Sequence, residues 1–184
     1  MSQLRFFIRD VKRMVGNKKY RLLYIWINRN FVGIFLYRLE RSFFLLTGNY
    51  YRYLRVLFLP FFKLLQWYSN MDIHYEADVT GGLIVLHPSA GCVISKFSNI
   101  GANLTLTGGN IIGVKKACTK NQFIIGSDCT LGANATVIGP IKLGNNIIIG
   151  ASSSVVSNFK ENNIILAGVP AKVLRNLERQ YSRT

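Results

Sequence analysis

Two hydrophobic patterns divide the chain. Ile125, Leu131, Val137, Leu143, Ile149 and Val155 recur every six residues without a slip. Gly126, Gly132, Gly144 and Gly150 each follow one of them directly. Upstream, Ile94, Ile100, Leu106 and Ile112 keep the period, with Gly101 and Gly113 in the glycine slot. Ile73, Val79 and Val85 form a third run. A fixed short period predicts a solenoid. Six residues are too few for a helical repeat and suit a short strand followed by a corner. The aliphatic side chain points inward onto its equivalents in adjacent coils, and the next residue turns, which suits glycine. Asn134, Asn145, Asn146, Ser152 and Ser153 supply further turn chemistry.

The first 71 residues follow a helical period instead. Leu4, Phe7, Ile8, Val11, Met14 and Val15 lie on one stripe, and Arg5, Arg9, Lys12 and Arg13 on another. This spacing predicts a basic amphipathic helix, closed by Gly16-Asn17. Residues 18–46 and 50–68 read as aromatic-rich helices broken at Thr47-Gly48-Asn49, with Pro60 kinking the last. At the other end, Val173, Leu174 and Leu177 predict a short helix over 171–179, followed by a fraying tail. The regions are therefore 1–71, helical; 72–169, solenoid; and 170–184, C-terminal helix and tail.

Charge sharpens the division. The chain has 184 residues and a net charge of +15, from 23 Lys and Arg against 8 Asp and Glu. With 49% apolar residues it is too hydrophobic for a disordered chain. Residues 1–71 hold 13 of the cations but only Asp10 and Glu40 as acids, and 18 of the 23 aromatics. Such a balance calls for a polyanionic partner. Arg29, Arg38, Glu40, Arg41, Arg52, Arg55 and Lys63 interrupt every candidate membrane span. Arg9, Asp10, Lys12 and Arg13 stand where a signal peptide needs an apolar run. A helical region lying on an anionic membrane surface is the expected arrangement, and packing into a core or an oligomer interface is the alternative. Nucleic acid is disfavoured, because the aromatics sit in apolar runs such as Leu22-Leu23-Tyr24-Ile25-Trp26-Ile27. Three cysteines without a CxxC motif argue against a disulfide framework and for a reducing compartment. Two histidines, His74 and His87, exclude a three-histidine metal site within one chain, and no metal is expected.

The candidate chemistry lies at two phase breaks. One is the nine-residue step from Val85 to Ile94, containing His87-Pro88-Ser89-Ala90-Gly91. The other is the step from Ile112 to Ile125, thirteen residues where two hexads need twelve, containing Lys115, Lys116 and Lys120. Breaks in a solenoid are loops, and loops carry function. His87 suits a general base, because imidazole titrates near neutrality. A carboxylate on its second nitrogen would fix its tautomer. Asp72, fifteen residues earlier, lies close to one 18-residue coil away and is the candidate partner. His74 follows an inward isoleucine and is expected to point outward.

Three segments together carry a resemblance: Asp72-Ile73-His74, then Leu86-His87-Pro88-Ser89-Ala90-Gly91, then Ala167-Gly168-Val169-Pro170-Ala171-Lys172 after the hexads. In order and spacing they resemble the serine acetyltransferases, hexapeptide-repeat acyltransferases, over residues 71–175. The resemblance implies a left-handed parallel β-helix of about five coils, a homotrimer, and acetyl-CoA as acyl donor. It implies His87 as the base and Asp72 as its partner. The donor would lie along the solenoid, with Ala133 and Ala151 at small corners and Lys172 beside the phosphates. Two departures bear on the acceptor. The family has Asp where this chain has Leu86, and a second functional His where the register places Gln122. Both contacts to an amino acid are missing, which costs a buried polar site heavily. The basic aromatic start resembles the branch that O-acetylates sugar hydroxyls of lipid-linked intermediates in capsule, exopolysaccharide and O-antigen synthesis. The expectation is such an enzyme, peripheral on the cytoplasmic face of a bacterial plasma membrane. A serine O-acetyltransferase of cysteine biosynthesis is the enzyme alternative, and an inactive scaffold at the membrane the non-enzyme one.

Overall fold

The computed structural model describes residues 2–177; the expected tail from residue 178 lies outside the described residues. Residues 71–168 wind into about five coils of a three-faced parallel β-solenoid. The first face stacks Met71–Ile73, Cys92–Ile94, Asn110–Val114, Thr136–Gly139 and Ser154–Val155. The second stacks Asp78–Val79, Asn99–Ile100, Ile124–Ile125 and Lys142–Leu143. The third stacks Ile84–Val85, Thr105–Leu106, Thr130–Leu131, Ile147–Ile149 and Ile164–Gly168. The thirteen hexad aliphatics, from Ile73 to Val155, are all buried in one continuous core. Each such side chain contributes about 1.5–3 kcal/mol by burial, and the core is a column because the repeat is.

Glycine serves a different purpose from the one its position predicts. Gly101, Gly126, Gly132 and Gly144 do not have positive φ; the left-handed corner residues are instead Asn103, Asp128, Asn134, Asn146, Ser152 and Asn163. Asn and Asp tolerate that conformation better than other side chains. The glycines are needed for close approach: a Cβ on Gly126 would stand 2.3 Å from the Gly144 carbonyl oxygen, and one on Gly132 2.6 Å from the Ala151 nitrogen. The corner asparagines also bond vertically, Asn103 Nδ2 donating to Asp128 Oδ1 at 2.8 Å. The thirteen-residue step holds no extra strand. It joins the first face directly to the second, and the surplus residues form a loop ending in a 3-10 turn at Lys120–Gln122.

A solenoid has open edges at both ends, and parallel strands leave their N–H and C=O groups unpaired there. The helices close the first end. They are α1 (Ser2–Val15), a 3-10 segment over Lys19–Ile27, α2 (Arg29–Thr47) and α3 (Tyr51–Ser69), which runs on through Pro60. Asn28 caps α2 by accepting from the Asn30 N–H. Polar side chains of α1 and α2 then take the places of a missing coil. Asp10 Oδ1 accepts from the N–H groups of Gly82 and Leu83 at 2.6 and 2.8 Å. Asn30 Oδ1 accepts from the Val85 N–H. The Tyr37 hydroxyl accepts from the Val79 N–H and donates to the Ala77 carbonyl. Arg38 donates to the carbonyls of Val79 and Thr80, and Arg41 to that of Glu76. Arg38 also pairs with Asp10 at 2.8 Å, and both are buried. In α1, Gln3, Asp10 and Met14 face inward, while Leu4 and Ile8 of the apolar stripe remain exposed.

The second end is closed by a strand where a helix is expected. Ala171–Asn176 folds back antiparallel on Ile164–Gly168, with Lys172 opposite Ala167. Val173 and Leu174 fit a helical stripe, but on a helix they would have left the last strand unpaired. The open edge decides the conformation, and Leu177 extends the pairing by donating its N–H to Asn163. Among the described residues, no helix is long and apolar enough to cross a membrane.

Candidate active site

His87 stands at the corner between the third and first faces, where the nine-residue step adds the 3-10 turn Pro88–Ala90. Its backbone is fixed on both sides. The His87 N–H donates to the Thr107 carbonyl at 2.9 Å, and its carbonyl accepts from the Ala90 N–H at 3.1 Å. The imidazole is exposed. Directly above it the next coil carries Gly108 at φ 143°, where an added Cβ would lie 2.7 Å from the His87 carbonyl oxygen. Gly108 is therefore packed directly against the His87 turn. Gly108→Ala should push the imidazole out of place and lower activity by about tenfold or more, with about 1–3 kcal/mol of strain. Parallel assay and melting curves check this, since a purely structural role lowers the melting temperature but leaves the turnover of folded protein unchanged.

Asp72 projects from the first face, opposite Val93 one coil above, and is exposed. The His87 corner leads directly into that Val93 strand. No hydrogen bond joins the Asp72 carboxylate to the His87 imidazole, so the expected pair is not formed within this chain. Asp72 shares a groove of about 470 Å³ with Lys63, Trp67, Asn70, Gly91 and Val93. Cys92 lies inside the same wall. Burial, and then the Asp72 charge, push its thiol up to about 12, which removes it as a nucleophile near neutral pH. His74 is held in a different role. Its Nδ1 accepts from the Glu76 N–H at 3.1 Å and its ring stacks on Tyr75. Burial lowers its pKa, which favours this neutral acceptor form.

The corner that carries His87 repeats in every coil. Above it come Gly108-Gly109, then Gly132-Ala133, then Gly150-Ala151, then Gly168. With a rise of about 4.8 Å per coil, Ala133 and Ala151 lie about 10 and 14 Å along the edge from His87. Lys172 is exposed on the closing strand beside the top of this edge. The structure thus gathers His87, Ala133, Ala151 and Lys172 along one side of the solenoid, on a strip of small residues. The expected basic loop divides. Lys115 and Lys116 are exposed, whereas the Lys120 ammonium donates to the Glu76 carbonyl, and burial lowers its pKa. Gln122 closes a local capping box with Thr119. That loop occupies the corner between the first and second faces, away from His87.

Two positioning residues escape the sequence reading. Asn110 is fully buried, accepts from the Gly108 N–H at 2.9 Å and donates to the carbonyls of Gly132 and Ala135. One side chain thus fixes both the Gly108 backbone packed against the His87 turn and the Ala133 corner. Asn70, left-handed at the end of α3, donates to the Ser89 carbonyl at 2.9 Å and ties that helix to the His87 turn. Asn110 occupies an ordinary hexad position, so it carried no signal. Asn70 lies just before the junction of the helical region and the solenoid, and nothing in the sequence marks it as a contact to the site.

Comparisons with known proteins agree with the fold. The model of the hexapeptide repeat of succinyl-transferase matches residues 122–156. No curated protein sequence gives a significant match. The serine acetyltransferase of Neisseria gonorrhoeae superposes with a TM-score of 0.76 at 26% identity, over 95% of this chain and 66% of its own. This chain therefore spans just under two thirds of that enzyme's length. A Brucella abortus serine acetyltransferase in complex with coenzyme A gives 0.70 at 22%, over 94% of this chain and 67% of its own. A soybean serine acetyltransferase complexed with serine gives 0.73 at 21%, over 94% and 70%. At those identities the last two speak for the fold alone. Repeat, coil geometry and similarity converge on a left-handed parallel β-helix of hexapeptide repeats, the fold of these serine acetyltransferases, here with a helical cap.

Proposed function

We propose that this chain is an acetyl-CoA-dependent O-acetyltransferase. The observation that carries the proposal is the single edge that places His87 at the foot of a strip of small corners, with Lys172 near its top. The strip admits a long, thin donor, and no side chain beyond Cβ stands at Gly108, Gly109, Ala133 or Ala151. Acetyl-CoA would supply the activated acetyl thioester. His87 takes the acceptor hydroxyl proton as the new C–O bond forms; the acetyl C–S bond then breaks and the imidazolium returns that proton to the departing CoA thiolate, while Lys172 offers a point charge to a phosphate. Asp72 orients the imidazole once an acceptor closes the groove, and a homotrimer belongs to the same reading. Exposed Leu86, Val93 and Ile111 beside the site offer apolar surface to a neighbouring subunit.

The acceptor has two readings, each favoured by a different observation. The similar structures are serine acetyltransferases, and this favours L-serine. The residues at the site favour a sugar hydroxyl on a lipid-linked intermediate. Leu86 is exposed next to His87 where an acidic contact to the amino acid is expected, and the Gln122 side chain is engaged with Thr119. A zwitterion in such a site loses partners for both of its charges. Free-thiol release from acetyl-CoA, with L-serine beside a panel of sugars and lipid-linked oligosaccharides, separates the two. Release only with a glycan assigns the sugar acceptor and fits a peripheral enzyme on the cytoplasmic face of the membrane. Release with serine assigns the cysteine pathway. Release with neither leaves the scaffold reading in place.

A further inference from the structure

The helical layer is stripped of exposed negative charge. Its two acids are both buried and both paired, Asp10 with Arg38 and Glu40 with Arg55 at 2.5 Å. Glu40 also accepts from the Tyr51 hydroxyl. Exposed cations remain: Arg5, Arg9, Lys12, Arg29, Arg52 and Lys63 among them. On the same layer α3 is apolar on two opposite sides. Tyr51, Phe62 and Ser69 face inward and are buried. On the outer side Tyr53, Leu57, Phe61, Leu64 and Trp67 make one stripe at helical spacing, from 54% exposed at Phe61 to 82% at Trp67. Arg52 and Lys63 flank this stripe.

We infer that the outer face of α3 docks on a bilayer of anionic phospholipid, with the stripe in the interface and the flanking cations at the headgroups. This rests on the membrane part of the proposed function and identifies the surface responsible for it. Charge selects the occupant. A second copy meeting this face would bring the same cations and, from its own helical layer, no exposed carboxylate to oppose them; an isologous contact places like against like. An anionic leaflet supplies the missing sign, at about 1 kcal/mol per nearby cation, and aromatic residues settle at that depth. Position agrees: Lys63 and Trp67, at the last turns of α3, also wall the groove that holds Asp72. Docking through α3 therefore brings the candidate site to the membrane surface, where a lipid-linked acceptor is found.

The test is co-sedimentation of the full chain with vesicles of phosphatidylcholine alone and with added phosphatidylglycerol. The parent should bind the anionic vesicles and lose binding as salt rises. Tyr53→Gln with Leu57→Gln, both far from the groove, should weaken that binding by about tenfold or more. Thiol release without vesicles, from a water-soluble acceptor, reads the acetyltransferase separately, so a failure of docking and a failure of catalysis are distinguished. Equal binding of parent and variant, or no preference for anionic lipid, would overturn the inference. So would a drop in oligomeric mass of the variant with vesicle binding unchanged, which would give the face to a second copy.

Discussion

Replacing His87 by alanine is expected to lower turnover by about 10²–10⁴-fold and to leave the melting temperature where it was. The imidazole is exposed, and its ring makes no hydrogen bond within the chain among the described residues. The bonds that hold the turn come from the His87 backbone, to Thr107 and from Ala90, and alanine keeps both. The substitution therefore removes a proton acceptor without loosening the corner. The loss should fall on kcat more than on the binding of acetyl-CoA, because the Ala133 and Ala151 corners and Lys172 are untouched. If Asp72 acts only by orienting His87, then Asp72→Asn alone costs less than His87→Ala, and adding it to His87→Ala costs nothing further. Thiol release and acetyl-CoA binding, measured side by side, decide the matter. A His87→Ala protein that retains parental turnover would remove the base and leave the edge as a binding strip.

What was legible in the sequence follows from the range of the interactions concerned. The hexad aliphatics were plain because each coil repeats the same demand on the same residue, so the period is written in the chain itself. His87 stands out because it lies where the period fails and inside the segment that resembles the serine acetyltransferases; its role as base belongs to the proposal. Asn110 and Gly108 do not stand out, since their roles arise between coils: one bonds to the carbonyls of Gly132 and Ala135, the other lies against the His87 backbone. The closing strand is not legible for the same reason. Val173 and Leu174 are locally compatible with a helix, and only the unpaired edge of Ile164–Gly168 selects the strand. In α1 the apolar stripe is legible but its division is not: Phe7, Val11, Met14 and Val15 pack on the core, whereas Leu4 and Ile8 do not. The structure leaves them exposed and turns Asp10 inward, because the first coil needs hydrogen-bond partners more than it needs further apolar cover.

That need makes Asp10 the residue whose loss should harm stability most. Asp10→Ala strands three groups at once. Arg38 remains a buried cation with Gln3, backbone carbonyls and the faces of Phe6 and Tyr37 around it but no opposing charge, and the N–H groups of Gly82 and Leu83 lose their acceptor. Breaking a buried ion pair from one side costs about 3–5 kcal/mol. Two stranded N–H groups add to that unless water reaches them, at about 1–3 kcal/mol each. A domain of this size is stable by about 5–15 kcal/mol, so the variant is expected to lose the helical cap or fail to accumulate. A urea midpoint lower by on the order of 2 M is the expected reading where it does fold. Burial raises the Asp10 carboxyl while Arg38 and the two N–H groups draw it down, so charge and hydrogen bonding have to be separated by substitution. Asp10→Asn keeps an acceptor for Gly82 and Leu83 but gives up the charge, and should fall between parent and alanine. Asp10→Ala with Arg38→Leu removes the stranded cation as well and should recover part of the loss. If the double variant is no more stable than the single one, the cost lies in the open edge of the first coil rather than in the buried charge. If Asp10→Ala is as stable as the parent, α1 does not cap the solenoid at all.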